Sequence, residues 1–422
     1  MPVADATDRL YAQSLDEADP LREFRLRFLP FPGPDADQLI YLDGNSLGRP
    51  PTSALDAITE LVATAWAAGV GSWGDWIELP SVVGDVLGAE LLGAAAGQVL
   101  ISDSTTVNLY KLAAAALDAR PDRRTIITEA ANFPTDRYVL EGLAAARGLR
   151  LDYVDVDVLA GASASDLDLG PDVALVCLSH VDYRSAAIAD LAGITRAAHE
   201  VGALVLWDLC HSVGSIPIAL DAAGVDLAAG CTYKYLDGGP GAPAFLYVAR
   251  ELQDSLRQPI WGWFGQRDQF AMGATYDPQP SIDRFATGTP NIVGIRLVEA
   301  GVRLLAEAGV DRLRAKGIAL TTYLIDLFDS WLAPLGFELA SPRDSASRGS
   351  HISLRHPAAY QLCRALIDNL VVPDYREPDL IRLGVSALTT SFADVHEAMR
   401  RLHSLTVAGA YLDIETVKSR VT

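Results

Sequence analysis

Between about residues 100 and 250, short apolar runs alternate with longer stretches of helical spacing. VLIS (99–102), TIIT (125–128), VALVCL (173–178) and ALVLW (203–207) are unbroken apolar segments. TVNLYKLAAAALDA and IADLAGITRAAHEVG instead repeat their apolar residues at helical intervals. Strand–helix alternation predicts a mostly parallel sheet with helices on both faces. Strands that are apolar throughout fit a sheet buried on both sides. Ligands of such sheets collect at the carboxyl ends of the strands.

The two ends of the chain have a different texture. The first thirty or so residues are polar with helical spacing around Leu10, Leu15, Leu21 and Phe24. FPGPDADQ is a turn-rich break, and IYLDGNSLGRPP reads as a short strand, a turn, and prolines opening a helix. Near residue 290, GIRLVEAGVRLLAEAGVDRLRAKGIALTTYLIDLFDSWL reads as long helices. The loop SPRDSASRGS follows, then HISLRH, the helical AAYQLCRALIDNL, the strand-like IRLGVSAL and the helical ADVHEAMRRLHSL. The expected organisation is α/β, with a large domain over 61–300 and a smaller α+β domain over 301–422. Residues 1–60 are expected to pack with the small domain.

Charge and cysteines narrow the partners. The formal net charge of the 422-residue chain is −20, which argues against a nucleic-acid surface or docking on anionic lipid. No run reaches the roughly 18 apolar residues that a spanning helix needs, and MPVADATDRLYAQSLDEADP is no signal peptide. The four cysteines, Cys177, Cys210, Cys231 and Cys363, form no CxxC pair and read as small buried thiols in a reducing compartment. The expectation is a cytoplasmic protein. Seven histidines are scattered without metal-ligand spacing, so no metal is expected.

Chemistry concentrates in a few segments. In ALVLWDLCHSVG an apolar strand runs straight into Asp208, and a carboxylate there is costly unless something positive meets it. On Asp208 alone, a helix cap or a salt bridge explains it as well. In CTYKYLDGGPGAP, Lys234 precedes a Gly-rich turn that lets backbone approach a ligand. A lysine alone is most often a surface residue, but the Asp208–Lys234 pair is more specific. Pyridoxal 5′-phosphate (PLP) needs a lysine amine for a Schiff base and a carboxylate opposite its pyridine nitrogen. Ser104, Thr105 and Thr106 fall where a strand ends and a helix begins, which suits a phosphate or plain N-capping. Phe133 could stack on a planar cofactor, with Asp136 beside it; singly they read as core and cap. His211 could face the ring or be an ordinary core histidine. GxGxxG, GxSxG and a Walker loop are absent.

YLDGNSLG (41–48), STTVNLY (104–110), NFPTDRY (132–138), WDLCHSVG (207–214), TYKYLDGGPGAP (232–243) and WGWFG (261–265) together resemble the kynureninases. These are PLP enzymes of fold type I, the aspartate aminotransferase fold, in its class V branch. The resemblance spans most of the chain, about 40–390. It implies hydrolysis of L-kynurenine, or its 3-hydroxy form, to anthranilate (or 3-hydroxyanthranilate) and L-alanine. It implies that Lys234 is the Schiff-base lysine, Asp208 the partner of the pyridine nitrogen, and Phe133 the stacking residue with Asp136 in its hydrogen-bond shell. Thr105 and Thr106 would cradle the phosphate. Tyr233 would bond it and take part in proton transfer, and Ser179 and His211 would add contacts. Trp263 and Thr289 would reach the phosphate of a second subunit, so a homodimer is implied. Arg382 would clamp the substrate carboxylate, and Trp73 and Gly288 would border the aryl pocket. At 183–186 the family often has a glycine where this chain reads Tyr183-Arg184-Ser185-Ala186.

Two same-fold alternatives are a class V aminotransferase and a cysteine desulfurase or selenocysteine lyase. The latter need a nucleophilic cysteine on a loop after the lysine. The only later cysteine, Cys363, lies on a helix face. A third alternative, a non-catalytic binding protein, would be expected to have lost Lys234 or Asp208.

Overall fold

The computed structural model describes residues 5–415; the first four and last seven residues of the 1–60 and 301–422 segments lie outside it. The strands are β1 (Ile40–Tyr41), β2 (Val99–Ile101), β3 (Thr125–Glu129), β4 (Arg150–Val154), β5 (Val173–Ser179), β6 (Leu204–Asp208), β7 (Leu227–Gly230), β8 (Phe245–Val248), β9 (Glu338–Leu339), β10 (His351–Arg355), β11 (Val371–Val372), β12 (Asp374–Arg376) and β13 (Leu380–Gly384).

Of the unbroken apolar runs, three (β3, β5 and β6) lie inside a seven-stranded sheet of order β2-β8-β7-β6-β5-β3-β4, and the fourth, β2, is at one edge. Every residue of β3, β5, β6, β7 and β8 is buried, as expected for strands covered on both faces. Neighbours from β7 to β4 are parallel, and β8 alone runs against both of its neighbours. The sheet is therefore mixed but mostly parallel. β4 is the other edge strand, and its exposed and half-buried positions reflect that place.

Helices Thr105–Asp118 and Pro134–Arg147 cover one face of the sheet, where Leu109, Leu112, Leu140 and Leu143 pack with Ile126, Leu175, Leu206 and Leu246. A second core on the other side joins Val176, Val205 and Trp207 to helix Ile292–Ala308 through Ile295, Val298 and Val302.

The antiparallel sheet β12-β13-β10-β9 has its own core, with Leu320, Leu324, Ile352, Leu354, Leu362, Ile381 and Leu402. The N-terminal segment touches both bodies. Ala12, Ile40 and Leu42 pack into this smaller core, whereas Leu21 and Phe28 pack into the large one. β1 pairs in parallel with β11.

The parallel strands bring their carboxyl ends into line. Ser179 at the end of β5 is in register with Asp208 at the end of β6. Glu129 closes β3 and Gly230 closes β7, on either side of that pair.

Candidate active site

The segments that leave these strand ends enclose one cavity. It is lined by Thr105, Thr106, Phe133, Thr135, Asp136, Ser179, Tyr183, Asp208, Cys210, His211, Tyr233 and Lys234. Nine of the sequence-chosen residues therefore meet in one place.

Local chemistry explains how each wall forms. After β2 the chain turns at Asp103 with a φ of 51°. Lys111 holds that turn through an ion pair of 2.6 Å, and the Thr287 hydroxyl donates to the same carboxylate at 2.8 Å. Ser104 then caps helix Thr105–Asp118. The capping falls to Ser104, which leaves Thr105 and Thr106 in the first turn facing the cavity. Free amides and the helix dipole make this end attractive to an anion.

Phe133 precedes Pro134 at the start of the next helix. Its position is set by Asn132, whose side-chain oxygen accepts from the Phe133 amide at 2.7 Å and from the Ser179 hydroxyl at 2.8 Å. Tyr183 meets the Phe133 ring edge-on at 5.2 Å between centroids.

Asp208 is buried, and its Oδ1 accepts from the Cys210 amide at 2.7 Å. Asp136 faces it. Burial, then the neighbouring Asp208 charge and hydrogen bond, push the Asp136 carboxyl well above the usual carboxylate range. Its Oδ2 has no hydrogen-bond partner. The Asp136 carboxyl therefore holds a proton beside Asp208.

The Lys234 amine reaches 3.5 Å from His211 Nε2, 5.9 Å from the Phe133 ring centroid and 6.0 Å from the Tyr233 ring centroid. His211 is held far below the usual histidine range, chiefly by burial and then by the Lys234 and Arg382 charges. Burial likewise raises the Tyr233 phenol. The backbone under Lys234 is tightly packed: the Gly48 amide donates to the Tyr233 carbonyl at 2.8 Å.

The other sequence-chosen residues lie elsewhere in the chain. Thr289 and Gly288 line a separate cavity of about 630 Å³ with Phe264, Asp103 and Thr287. Trp263 is 41% exposed and packs edge-on against Phe264 at 4.6 Å. Trp73 packs against Trp76 and Phe264. Arg382 is buried outside the Lys234 cavity. Its guanidinium pairs with Asp374 and donates to the Tyr183 carbonyl at 2.6 Å and the Ser46 hydroxyl at 2.9 Å.

Thr135, Tyr183 and Cys210 complete the lining, although no role is assigned to them in the sequence reading. Thr135 and Cys210 sit inside motifs already singled out, so their neighbours were the available signal. Asn132 carries no such signal, because only the fold shows that it braces both Phe133 and Ser179.

At 183–186, Ala186 takes a left-handed φ of 66°. Asp182 holds the loop by accepting from the Arg184 and Ser185 amides and the Ser185 hydroxyl. The chain thus adopts with alanine a conformation that glycine reaches more cheaply. Cys363 is fully buried in helix Ala359–Asp368, and among the described residues no group of acidic, histidine and cysteine side chains could hold a metal.

The arrangement is an amine, a buried pair of carboxyl groups, an aromatic face and a helix-start anion site around one cavity. The donor set fits a flat, phosphorylated, electron-withdrawing aldehyde such as PLP. Asp208, Phe133 and the Thr105 and Thr106 side chains at the helix start are what such a group would meet.

A family model described as the kynureninase C-terminal domain matches residues 313–402. A kynureninase of Pseudomonas fluorescens is 41% identical over 422 residues, covering 97% of each chain. A kynureninase of Burkholderia pseudomallei (strain 1106a) is 40% identical over 405 residues, 93% of this chain and 94% of the relative. Among solved structures, the apo cysteine desulfurase of Thermococcus onnurineus NA1 superposes with a TM-score of 0.77 at 20% identity, over 92% of this chain and 98% of that one. A C-DES mutant with glycine covalently linked to its PLP cofactor gives 0.75 at 19% identity, over 90% and 98%. At such identities these two report the fold alone.

Proposed function

This chain belongs to the kynureninase family, and from that premise we propose that it hydrolyses L-kynurenine to anthranilate and L-alanine, with PLP bound in the Lys234 cavity. The observation that carries the reading is the convergence of Lys234, His211, Phe133 and the Asp136–Asp208 pair on one cavity. The 3-hydroxy substrate belongs to the same proposal.

In this reading Thr105 and Thr106 hold the phosphate, with Tyr233, Ser179 and His211 adding contacts. Phe133 covers a ring face, and Asp208 meets the pyridine nitrogen with Asp136 behind it. Once bound, PLP supplies an electron sink conjugated to the substrate's amino nitrogen. The rest is the work of the chain. The Lys234 amine carries a proton from the substrate Cα. Neutral His211 accepts from Lys234 without adding a second cation beside it. Water attacks the carbonyl next to the aryl ring, the Cβ–Cγ bond breaks, and Tyr233 delivers a proton to the alanine fragment. Arg382, close enough for its charge to act on His211, binds the substrate carboxylate, and Trp73 and Gly288 border the aryl group.

The working unit in this reading is a cytoplasmic homodimer, divided into a large domain over 61–300 and a small domain over 301–422 joined by 1–60. Two features support the dimer. Trp263 and Thr289 lie outside their own chain's Lys234 cavity. Trp261, Phe270 and Met272, in the same stretch as Trp263, are 64%, 58% and 74% exposed. No described helix is long and apolar enough to cross a membrane. A desulfurase reading lacks its loop nucleophile, because Cys363, the only cysteine after Lys234, is buried in helix Ala359–Asp368.

The test is anthranilate fluorescence on mixing PLP-loaded protein with L-kynurenine, beside Lys234→Ala. Fluorescence from the wild type alone is expected. No product from either kynurenine or its 3-hydroxy form would overturn the reading.

A further inference from the structure

His351 begins β10 and is fully buried, yet neither of its ring nitrogens makes a hydrogen bond of good geometry. A neutral imidazole has one donor and one acceptor, and leaving both unpaired away from water is unfavourable. Such an arrangement asks what the ring is for.

Its neighbours come from three elements. The His211 ring, from the turn after β6, lies 5.8 Å away centroid to centroid at 63°. Arg382 stands beside it on β13, where Gly384 pairs with His351 and Arg382 with Ser353. The Arg184 carbonyl acts on it as an acceptor from the 181–188 loop. Beyond His211, the Lys234 amine is 3.5 Å from Nε2. Burial and the Arg382, Lys234 and Arg376 charges keep His351 neutral.

The ends of this row determine its direction. The Lys234 amine offers its N–H to His211, and a carbonyl can only accept. His211 accepts from Lys234 through Nε2, so its own proton belongs on Nδ1. A neutral His351 whose N–H serves the Arg184 carbonyl keeps one lone pair, and the ring beside it is His211. Two imidazoles joined by one N–H···N bond have centroids about 5.2 Å apart, from an N···N distance of about 2.9 Å. The observed 5.8 Å is longer by about 0.6 Å, so a side-chain rotation has to close the bond.

We propose that His351 is a positioning residue for the reaction, accepting a hydrogen bond from His211 Nδ1 and so holding His211 in the tautomer whose Nε2 lone pair faces Lys234. The proposal rests on the functional reading above, and it adds that the small domain orients the group beside the reactive lysine. A fixed tautomer matters because an imidazole in the other form would point its own N–H at the N–H groups of Lys234.

His351→Leu removes both nitrogens and nearly conserves volume, and His351→Gln restores one acceptor. We expect His351→Leu to lower kcat about tenfold, the usual order for a supporting residue, with KM within about twofold. Its melting temperature should change by no more than a few degrees, because one hydrogen bond contributes little net stability. His351→Gln should recover kcat to within about threefold of the wild type. Nitrogen-15 spectra of histidine-labelled protein should show His211 as the Nδ1–H form in the wild type and in His351→Gln, and as a tautomer mixture in His351→Leu.

An unchanged His211 tautomer in His351→Leu would overturn the proposal. So would equal losses of activity and melting temperature in both variants, which is what a packing role gives. The spectra are read without substrate. A wild type that makes no anthranilate would therefore count against the functional reading while leaving the positioning result to stand or fall separately.

Discussion

Gly48 tests whether the N-terminal turn sets the position of Lys234. It closes the YLDGNSLG segment and lies against the backbone that carries the lysine. A β-carbon added there would stand 2.2 Å from Asp237 Oδ1, 2.3 Å from the Lys234 carbonyl oxygen and 2.9 Å from Asp237 Cα. A comfortable carbon–oxygen contact is about 3.3 Å, so Gly48→Ala has to open the contact by about 1 Å. Neither neighbour can yield alone. The Lys234 oxygen is main chain, and Asp237 is already in a left-handed conformation at φ 54°. The displacement must pass into the Lys234 backbone and on to its amine. A misplacement of about 1 Å costs on the order of 100-fold in rate, and overpacking destabilises by about 1–3 kcal/mol. We therefore expect kcat for anthranilate release to fall about 100-fold in a protein that still folds. Gly142→Ala is the control: it lies in helix Pro134–Arg147, its β-carbon would meet nothing within 4 Å, and it should keep full activity and gain about 0.5–1 kcal/mol of stability. A folded Gly48→Ala enzyme with kcat within about threefold of the wild type would refute the argument that this turn positions the lysine.

Two further outcomes follow from buried charge and from the shared site. Burial, reinforced by Asp182 and Asp166, pushes the Glu129 carboxyl up to about 8 from an ordinary 4.5. The folded state keeps a proton that the unfolded chain releases, so the stability this gives is complete below pH 4.5 and is lost as pH rises to 8. Glu129→Gln should melt with the wild type near the acid end of that window and above it by up to a few kcal/mol at the alkaline end; melting curves that stay parallel across the window would be the contrary result. For the dimer, Lys234→Ala and Trp263→Ala should each be nearly inactive alone. Unfolded and refolded together they should regain about a quarter of wild-type activity, because half of the dimers are mixed and one of their two sites is intact. No recovery despite mixed dimers would place Trp263 in its own chain's site.

What can be read from the residues in order depends on how far apart the interacting groups are along the chain. β3, β5 and β6 announce themselves because strands buried on both faces must be apolar throughout. β4 does not, because an edge strand carries Arg150, Asp152 and Tyr153. β7 is LAAG, too small and short to stand out, and the reversed direction of β8 leaves no mark on its composition. The site shows the same division. Thr105, Phe133, Asp208 and Lys234 are legible because each sits in a short motif at the end of a strand, where the fold class already says a ligand should lie. The groups that orient them come from distant segments: Asn132 braces Phe133 and Ser179, Gly48 abuts Lys234, and His351 stands beside His211. A lone histidine opening an apolar strand reads as core until the packing of β10 against the turn after β6 brings the two imidazoles together. Arg382 shows the limit from the other side. Its residue type suits a carboxylate clamp, but only the fold reveals that Asp374, Ser46 and the Tyr183 carbonyl already hold its guanidinium. A substrate carboxylate has to compete with these partners. The motif thus names the atom that meets the ligand, while its affinity is set by partners that no local pattern contains.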